Sequence, residues 1–181
     1  MAHALRPARR TEASRLLEIE DDAGRLYARA GLPPDLEGLE LAFIDAAIAA
    51  GTVWVATDDD DLAIGFALCL IFPGALHLRE LDVATTHMRR GLGRRLVDHA
   101  CARAASLGLA RVTLTTFVEV PWNRPLYERW GFAVVAPGEQ PAWLADIRAH
   151  EDRGELRRWP RCAMAKPANA EVTSRRSPSP R

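Results

Sequence analysis

The stretch Glu80-Leu81-Asp82-Val83-Ala84-Thr85-Thr86-His87-Met88-Arg89-Arg90-Gly91-Leu92-Gly93-Arg94-Arg95-Leu96 decides how this chain is read. It begins inside an apolar, strand-like run, residues 75–83. It then crosses a basic, glycine-bearing turn and enters a long amphipathic helix. Strand, glycine turn and helix together aim several backbone N–H groups at one anion. The first N–H groups of a helix have no intrahelical acceptor, and the macrodipole places partial positive charge there. A diphosphate fits such an end. Gly91 and Gly93 lack Cβ and let a ligand approach the backbone closely. Arg89, Arg90, Arg94 and Arg95 add positive charge, and no acidic residue lies between Thr85 and Val97.

The plain alternative is a glycine turn that only joins a strand to a helix. Two nucleotide motifs are testable on the same residues. A P-loop needs Gly-Lys-Ser/Thr, and Gly93 is followed by Arg94-Arg95. A dinucleotide fingerprint needs a third glycine three residues after the second, where Leu96 stands; an acid further on, Glu119, is in range.

A second informative stretch is Pro121-Trp122-Asn123-Arg124-Pro125-Leu126-Tyr127-Glu128-Arg129-Trp130-Gly131-Phe132. The prolines mark a helix start and Gly131 its end. Asn123 and Tyr127 are four residues apart and share a helix face. Taken alone, Tyr127 reads as a core tyrosine.

The two stretches together, in order and about 30 residues apart, resemble the signatures of the GNAT superfamily of N-acetyltransferases. Met88-Arg89-Arg90-Gly91-Leu92-Gly93 is similar to its acyl-CoA motif Arg/Gln-x-x-Gly-x-Gly/Ala, with Met88 where Arg or Gln is usual. Asn123, Tyr127 and Gly131-Phe132 match Asn-x-x-x-Tyr-x-x-x-Gly-Phe. The resemblance covers residues 4–135. It implies an α/β (α+β) fold: a mixed, mostly antiparallel central sheet flanked by helices, with strands β4 (residues 75–83) and β5 (111–117) parallel and splayed. It implies acetyl-CoA as cosubstrate, with Leu81, Val83, Met88, Arg89, Arg90, Gly91, Leu92, Gly93, Arg94, Asn123 and Tyr127 lining its site. Tyr127 is then the acid that protonates the departing thiolate. Glu80 is the base, with Glu119 as second candidate, and a backbone N–H of β4, at Val83, polarises the thioester. For Glu80 the alternative is a salt bridge with Arg79 or a helix residue. His77 and His87 read as structural, and Cys101 lies on a core helix stripe rather than in a nucleophile's setting.

The rest of the chain agrees with such a domain. It has 181 residues, enough for one core, and 24 basic against 24 acidic side chains, so no global charge draws it to nucleic acid or membrane. The cysteines Cys69, Cys101 and Cys162 are three and far apart, which fits neither a disulfide framework nor a metal site. Buried free thiols and a cytoplasmic location are expected, with no metal. No run reaches 18 apolar residues.

Residues 4–7 open a sheet. Thr11 caps a helix over 11–28, and a second helix spans 36–50. Strands follow at 52–57 and 62–72, with Asp58 to Asp61 and Pro73-Gly74 as turns. The signature helix runs over 91–107, a short strand covers 133–135, a helix 140–151 and a last strand 161–166. Glu18, Glu20, Asp21 and Asp22 read as a solvated helix face, with attraction of a cationic amine as the alternative. Residues 167–181 form a disordered Pro/Ser/Arg tail after a 1–166 domain.

The acceptor expected is a small-molecule primary amine; a protein amine and a non-catalytic acyl-CoA-binding module are the alternatives. Trp143, Leu144, Ile147 and Trp159 could serve a homodimer face or cover the sheet.

Overall fold

The computed structural model describes residues 3–32, 38–153 and 157–168. Seven strands form one sheet in the order β1-β2-β3-β4-β5-β7-β6. They are β1 Leu5–Pro7, β2 Val53–Thr57, β3 Ala63–Phe72, β4 Ala75–Val83, β5 Arg111–Phe117, β6 Ala133–Val134 and β7 Arg161–Pro167. All pairings are antiparallel except β4 with β5. That exception follows from the connection: α3, Leu92–Ser106, crosses over between them.

The expected splay is present. β4 and β5 pair from Ala75 and Arg111 to Leu78 and Leu114, and no further. Beyond that point β4 stays with β3 as far as Val83 opposite Gly65. β5 meanwhile stays with β7 as far as Phe117 opposite Arg161. A bulge marks the parting. Leu68 faces Glu80 and Cys69 faces Leu78, which leaves Arg79 as the extra residue. Bulges add twist and bend a strand, and here the bend falls where β4 turns away from β5.

Two layers cover the sheet. On one face α3 buries Leu92, Leu96, Val97, Ala100, Cys101 and Ala104 against β2–β5. Each fully buried leucine or valine contributes roughly 1.5–3 kcal/mol, so the stripe fixes α3 and the turn before it. On the other face lie α1, Ala13–Ala28, and α2, Leu41–Ala49, over Val53, Val55, Phe66 and Leu68. At the β5–β7 end α5, Ala142–Glu151, buries Leu144 completely. Trp143 stacks on Phe72 at 4.2 Å and meets His77 edge-on, and Trp159 packs beside Leu32, Phe117 and Val120. These side chains cover the sheet of their own chain.

Several boundaries differ from the sequence reading. Thr11 is not the cap of α1. A 3-10 turn, Arg10–Glu12, precedes the helix, and Glu12 reaches back to the Arg9 N–H while Arg6 pairs with Glu12 at 2.7 Å. α2 begins at Leu41, later than expected, with Glu40 as its N-cap; residues 36–37 lie outside the described ones. The 167–181 tail begins too early. Pro167 pairs with Arg111, and the Ala168 N–H donates to the Ala110 carbonyl. The remaining tail positions lie outside the described residues. Cys69 and Cys101 are buried free thiols, whereas Cys162 is half-buried.

Candidate active site

The site gathers where β4 leaves β5. The glycine turn comes first. Thr85–His87 form a 3-10 turn, Arg89 takes φ +60° and Gly91 caps α3 at φ +79°. The first i to i−4 bond runs from the Arg95 N–H to the Gly91 carbonyl. The N–H groups of Leu92, Gly93 and Arg94 therefore have no acceptor within the helix. A Cβ at Gly91 would meet nothing within 4 Å, so the space in front of this cradle is open. An acyl-CoA diphosphate fits this cradle.

Gly93 has a different reason to be glycine. A Cβ there would lie 3.3 Å from the Trp130 ring. Trp130 also meets the Tyr127 ring edge-on, at 5.6 Å. Gly93 thus lets the signature tyrosine's helix pack onto α3. The arginines divide as well. Arg94 is held by Asp98, its Nε 2.9 Å from the carboxylate, and Arg90 donates to the Thr86 carbonyl. Arg89 is exposed at the turn and Met88 is half-buried.

Across the opening, alternation along β4 sorts the side chains. Leu81 and Val83 pack on the α3 side. Glu80 and Asp82 point to the other face, opposite Leu68 and Phe66, which belong to the core beneath α1 and α2. Glu80 pairs with Arg79 at 3.4 Å and keeps 28% of its side chain exposed. The salt bridge with Arg79 expected as the alternative for Glu80 is thus present. Burial raises the Glu80 carboxyl above its ordinary value. Burial, then Glu80 and Glu20, push Asp82 well up, and Asp82 Oδ2 is buried without a hydrogen-bond partner.

Glu20 enters from α1. Its Oε1 accepts the Leu39 N–H at 2.8 Å, and burial followed by Glu80 pushes it up to about 7. Nearby, Asp22 accepts the Thr85 N–H at 2.7 Å and the Thr85 hydroxyl at 3.0 Å, pinning α1 to the glycine turn. The acidic run on α1 is thus not a uniform solvated face. Glu18 and Asp21 are exposed, Glu18 pairing only with Arg15 of its own helix, while Glu20 and Asp22 hold partners outside α1.

Tyr127, on α4 Arg124–Arg129, stands between the two halves. Its ring packs edge-on against Trp130 and Phe132. Burial first, then Tyr27, Glu80 and Asp82, hold its phenol well above the ordinary value. Asn123 is buried. Its carbonyl accepts the Leu126 and Tyr127 N–H groups, and its Oδ1 accepts the Tyr27 hydroxyl at 3.3 Å. Tyr27 also packs on Phe117 and Trp122, and burial pushes its phenol up to about 12.

Other candidates fall outside this group. Glu119 is exposed. His77 is buried against Thr113, and His87 is linked to the Thr86 hydroxyl. Among the described residues no group of three or more His, Cys, Asp or Glu is placed to hold a metal ion. No described helix is long and apolar enough to cross a membrane.

Sequence reading missed Asp82 and Tyr27, gave Glu20 no individual role and passed over Gly65. A Cβ at Gly65 would lie 2.9 Å from the Asp82 carbonyl oxygen. The only available signals were period-2 alternation along β4, which puts Asp82 beside Glu80, and an isolated glycine inside a strand.

The model of the acetyltransferase (GNAT) family matches residues 13–132. The chain belongs to the GNAT family of acetyltransferases. The resemblance read from the two signatures and the fold it implied are both borne out. Over 114 residues this GNAT chain is 33% identical to N-alpha-acetyltransferase 40 of Saccharomyces cerevisiae, covering 59% of itself and 39% of the yeast protein. It therefore spans about two fifths of that relative's length. Among solved structures it resembles N-acetylglutamate synthase from Neisseria gonorrhoeae, in complex with coenzyme A and N-acetyl-glutamate. The TM-score is 0.71 at 16% identity, over 93% of this chain and 35% of that one. It also resembles the ribosomal-protein-S18-alanine N-acetyltransferase of Escherichia coli, with TM-score 0.63 at 17% identity, over 92% and 94% of the two chains. At such identities the two structural likenesses are likenesses of fold.

Proposed function

We propose that this GNAT domain transfers the acetyl group of acetyl-CoA to a primary amine by direct attack. The observation that carries the reading is the opening between β4 and β5. It is flanked by the N–H groups at the start of α3, with Tyr127 packed on the α3 side and Glu80 and Asp82 on the other face of β4. The diphosphate rests on the N–H groups of Leu92, Gly93 and Arg94. The acyl arm runs along the unpaired edge of β4 at Leu81 and Val83. A β4 N–H, that of Val83, faces the charge that builds on the thioester oxygen.

The amine arrives as an ammonium and loses one proton to a carboxylate, with Glu80 at hand. Its nitrogen then forms the C–N bond as the C–S bond breaks. The second proton reaches the departing thiolate from Tyr127, which regains it from the nitrogen. A phenol held above its ordinary value is fully protonated at neutral pH, and the same dry surroundings make the thiolate a stronger base.

The acceptor reads as a small-molecule amine. The yeast likeness favours a second reading, the α-amino group of a protein chain. A thiol-release assay with acetyl-CoA and a panel of spermidine, tyramine, glutamate and an alanine-initiated tetrapeptide tests both. Release dependent on one of these amines supports transfer, and preference for the tetrapeptide selects the second reading. Acetyl-CoA binding without amine-dependent release overturns catalysis and leaves a binding module.

A further inference from the structure

Past the point where β4 and β5 part, the two strands carry opposite charge on the face that α1 covers. The β4 side holds Glu80 and Asp82. The β5 side holds Arg161, which no step of the transfer uses. Arg161 opens β7 opposite Phe117, the last residue of β5. Its guanidinium lies over the Phe117 ring, 4.5 Å from the centroid. The same ring packs against Tyr27 of α1 at 5.6 Å, which puts ring and guanidinium on the α1 face. Alternation along β7 agrees, since Cys162 and Met164 pack on the α3 side. Phe117 lies beyond Leu114, where β5 stops pairing with β4. Arg161 therefore stands one strand back from the opening and reaches over β5. Its field crosses the gap: burial raises the Glu80 carboxyl, and Arg79 and then Arg161 draw it back.

The acid beside Arg161 is Glu151 of α5, whose Oε1 is 3.2 Å from Arg161 Nη2. That carboxylate is shared. Its Oε2 takes Arg148 at 2.7 Å, and its Oε1 also accepts the Thr115 hydroxyl. The second acid on Arg148, Asp152, is 54% exposed and screened by water. Arg161 Nε is buried with no acceptor among the described residues. Two guanidiniums on one largely buried carboxylate leave surplus positive charge where water is scarce, and such a cation calls for an anion.

Resting on the acetyl-transfer reading above, we propose that Arg161 selects the acceptor: the amine carries a carboxylate, which docks on the Arg161 guanidinium while its ammonium faces Glu80. A guanidinium offers a carboxylate paired N–H donors in a fixed plane. Glu151 and the Phe117 ring already hold this one in place, so little freedom is lost on binding. Opposite charges on the two strands also fix the direction of such a zwitterion. A second cation, as in spermidine, would lie against Arg161 and is disfavoured. A free amino acid and a peptide with an acidic side chain both supply the carboxylate.

The thiol-release assay tests this with pairs that differ in the carboxylate alone: tyrosine and tyramine, histidine and histamine, leucine and 3-methylbutylamine. Two amidated, alanine-initiated tetrapeptides with aspartate or asparagine second form the peptide arm. The wild type is expected to favour the carboxylate member of at least one pair by about ten-fold or more in kcat/KM. Preference in the amino-acid pairs assigns the site to an α-carboxylate, and preference in the peptides alone assigns it to an acidic side chain. Arg161→Gln is expected to lose about 10- to 100-fold toward the favoured substrate, mainly in KM, while its uncharged partner and acetyl-CoA affinity change little. Arg158→Gln, an exposed charge on the approach to β7, should leave the preference intact; a shift equal to that of Arg161→Gln would make the effect a general field and overturn the inference. Equal kcat/KM within every pair overturns it too, and that result needs only the wild type should Arg161→Gln fail to fold. An Arg161→Gln loss shared by both members of a pair overturns it as well, leaving acetyl transfer intact. Acetyl-CoA binding with no turnover of any amine overturns the transfer reading, and this inference with it.

Discussion

The Tyr27 hydroxyl donates to Asn123 Oδ1 at 3.3 Å, although the two residues are 96 positions apart. The bond ties the last turn of α1 to the start of α4, the helix that carries Tyr127. Tyr27→Phe keeps the packing on Phe117 and Trp122 and removes only this bond. A hydrogen bond of this kind contributes about 1 kcal/mol, or roughly 2–4 °C in Tm at this size. Thermal unfolding should show that loss. The kinetic effect should fall on KM for the amine rather than on acetyl-CoA binding.

Tyr127→Phe removes the proposed thiolate acid while leaving the edge-on packing with Trp130 and Phe132. General acid catalysis is worth about 10²–10⁴-fold. We expect kcat to fall by that order with KM for acetyl-CoA little changed. An unchanged kcat would assign the thiolate's proton to another donor.

Gly65 sets how close β3 comes to the end of β4. Gly65→Ala would push its Cβ against the Asp82 carbonyl oxygen at 2.9 Å and Val83 Cγ2 at 3.1 Å. Both contacts are with the strand that forms one edge of the opening, and the backbone atom cannot rotate away. The expected cost is about 1–3 kcal/mol, with acetyl-CoA affinity lost along with it. A variant of wild-type stability and affinity would show that β4 shifts freely there.

Two groups give opposite pH signatures. Burial lowers His77 to about 4, so the fold favours the neutral imidazole. That stability is present above about 6.5 and is lost as pH falls toward 4; for this fully buried ring it amounts to roughly 3 kcal/mol. Glu20 is raised to about 7, so the fold favours its protonated form. Its contribution is present at low pH and is lost as pH rises from about 4.5 to 7. Partial exposure limits the size to on the order of 1 kcal/mol. Urea midpoints should therefore show that His77→Gln flattens the acid loss. Glu20→Gln should be more stable than wild type at pH 8 and equal to it at pH 4. The reverse order for either variant would contradict the environments described.

Legibility in the sequence followed locality. The bounds of β4 and β5 were readable to the residue because Pro73-Gly74 and Gly108 punctuate alternating apolar runs. The order of signatures around α3 and α4 was readable because each is a local motif. Thr11 misled because a threonine before an apolar period is a generic cap. Here the competing reciprocal bond between Glu12 and the Arg9 N–H took its place. Glu20, Asp82 and Tyr27 were hidden for another reason. Their meaning lies in what they meet across 60 to 100 residues of chain, which no spacing records. Arg94, read as lining the acetyl-CoA site, pairs with Asp98 one turn later, and that i,i+4 spacing was open to view in the sequence.

The account's central claim is that the α3 cradle receives acetyl-CoA, and calorimetric titration of the wild type and of Gly91→Asp tests it most directly. Gly91 is the better position because nothing lies within 4 Å of a Cβ there, whereas any side chain at Gly93 also disturbs Trp130. Aspartate tolerates the left-handed backbone better than most residues and places a negative charge before the free N–H groups. The account predicts saturable acetyl-CoA and CoA binding to the wild type and a loss of at least about ten-fold in affinity, or about 1.4 kcal/mol, in the variant. Equal binding by the two proteins, or none by the wild type, would contradict it.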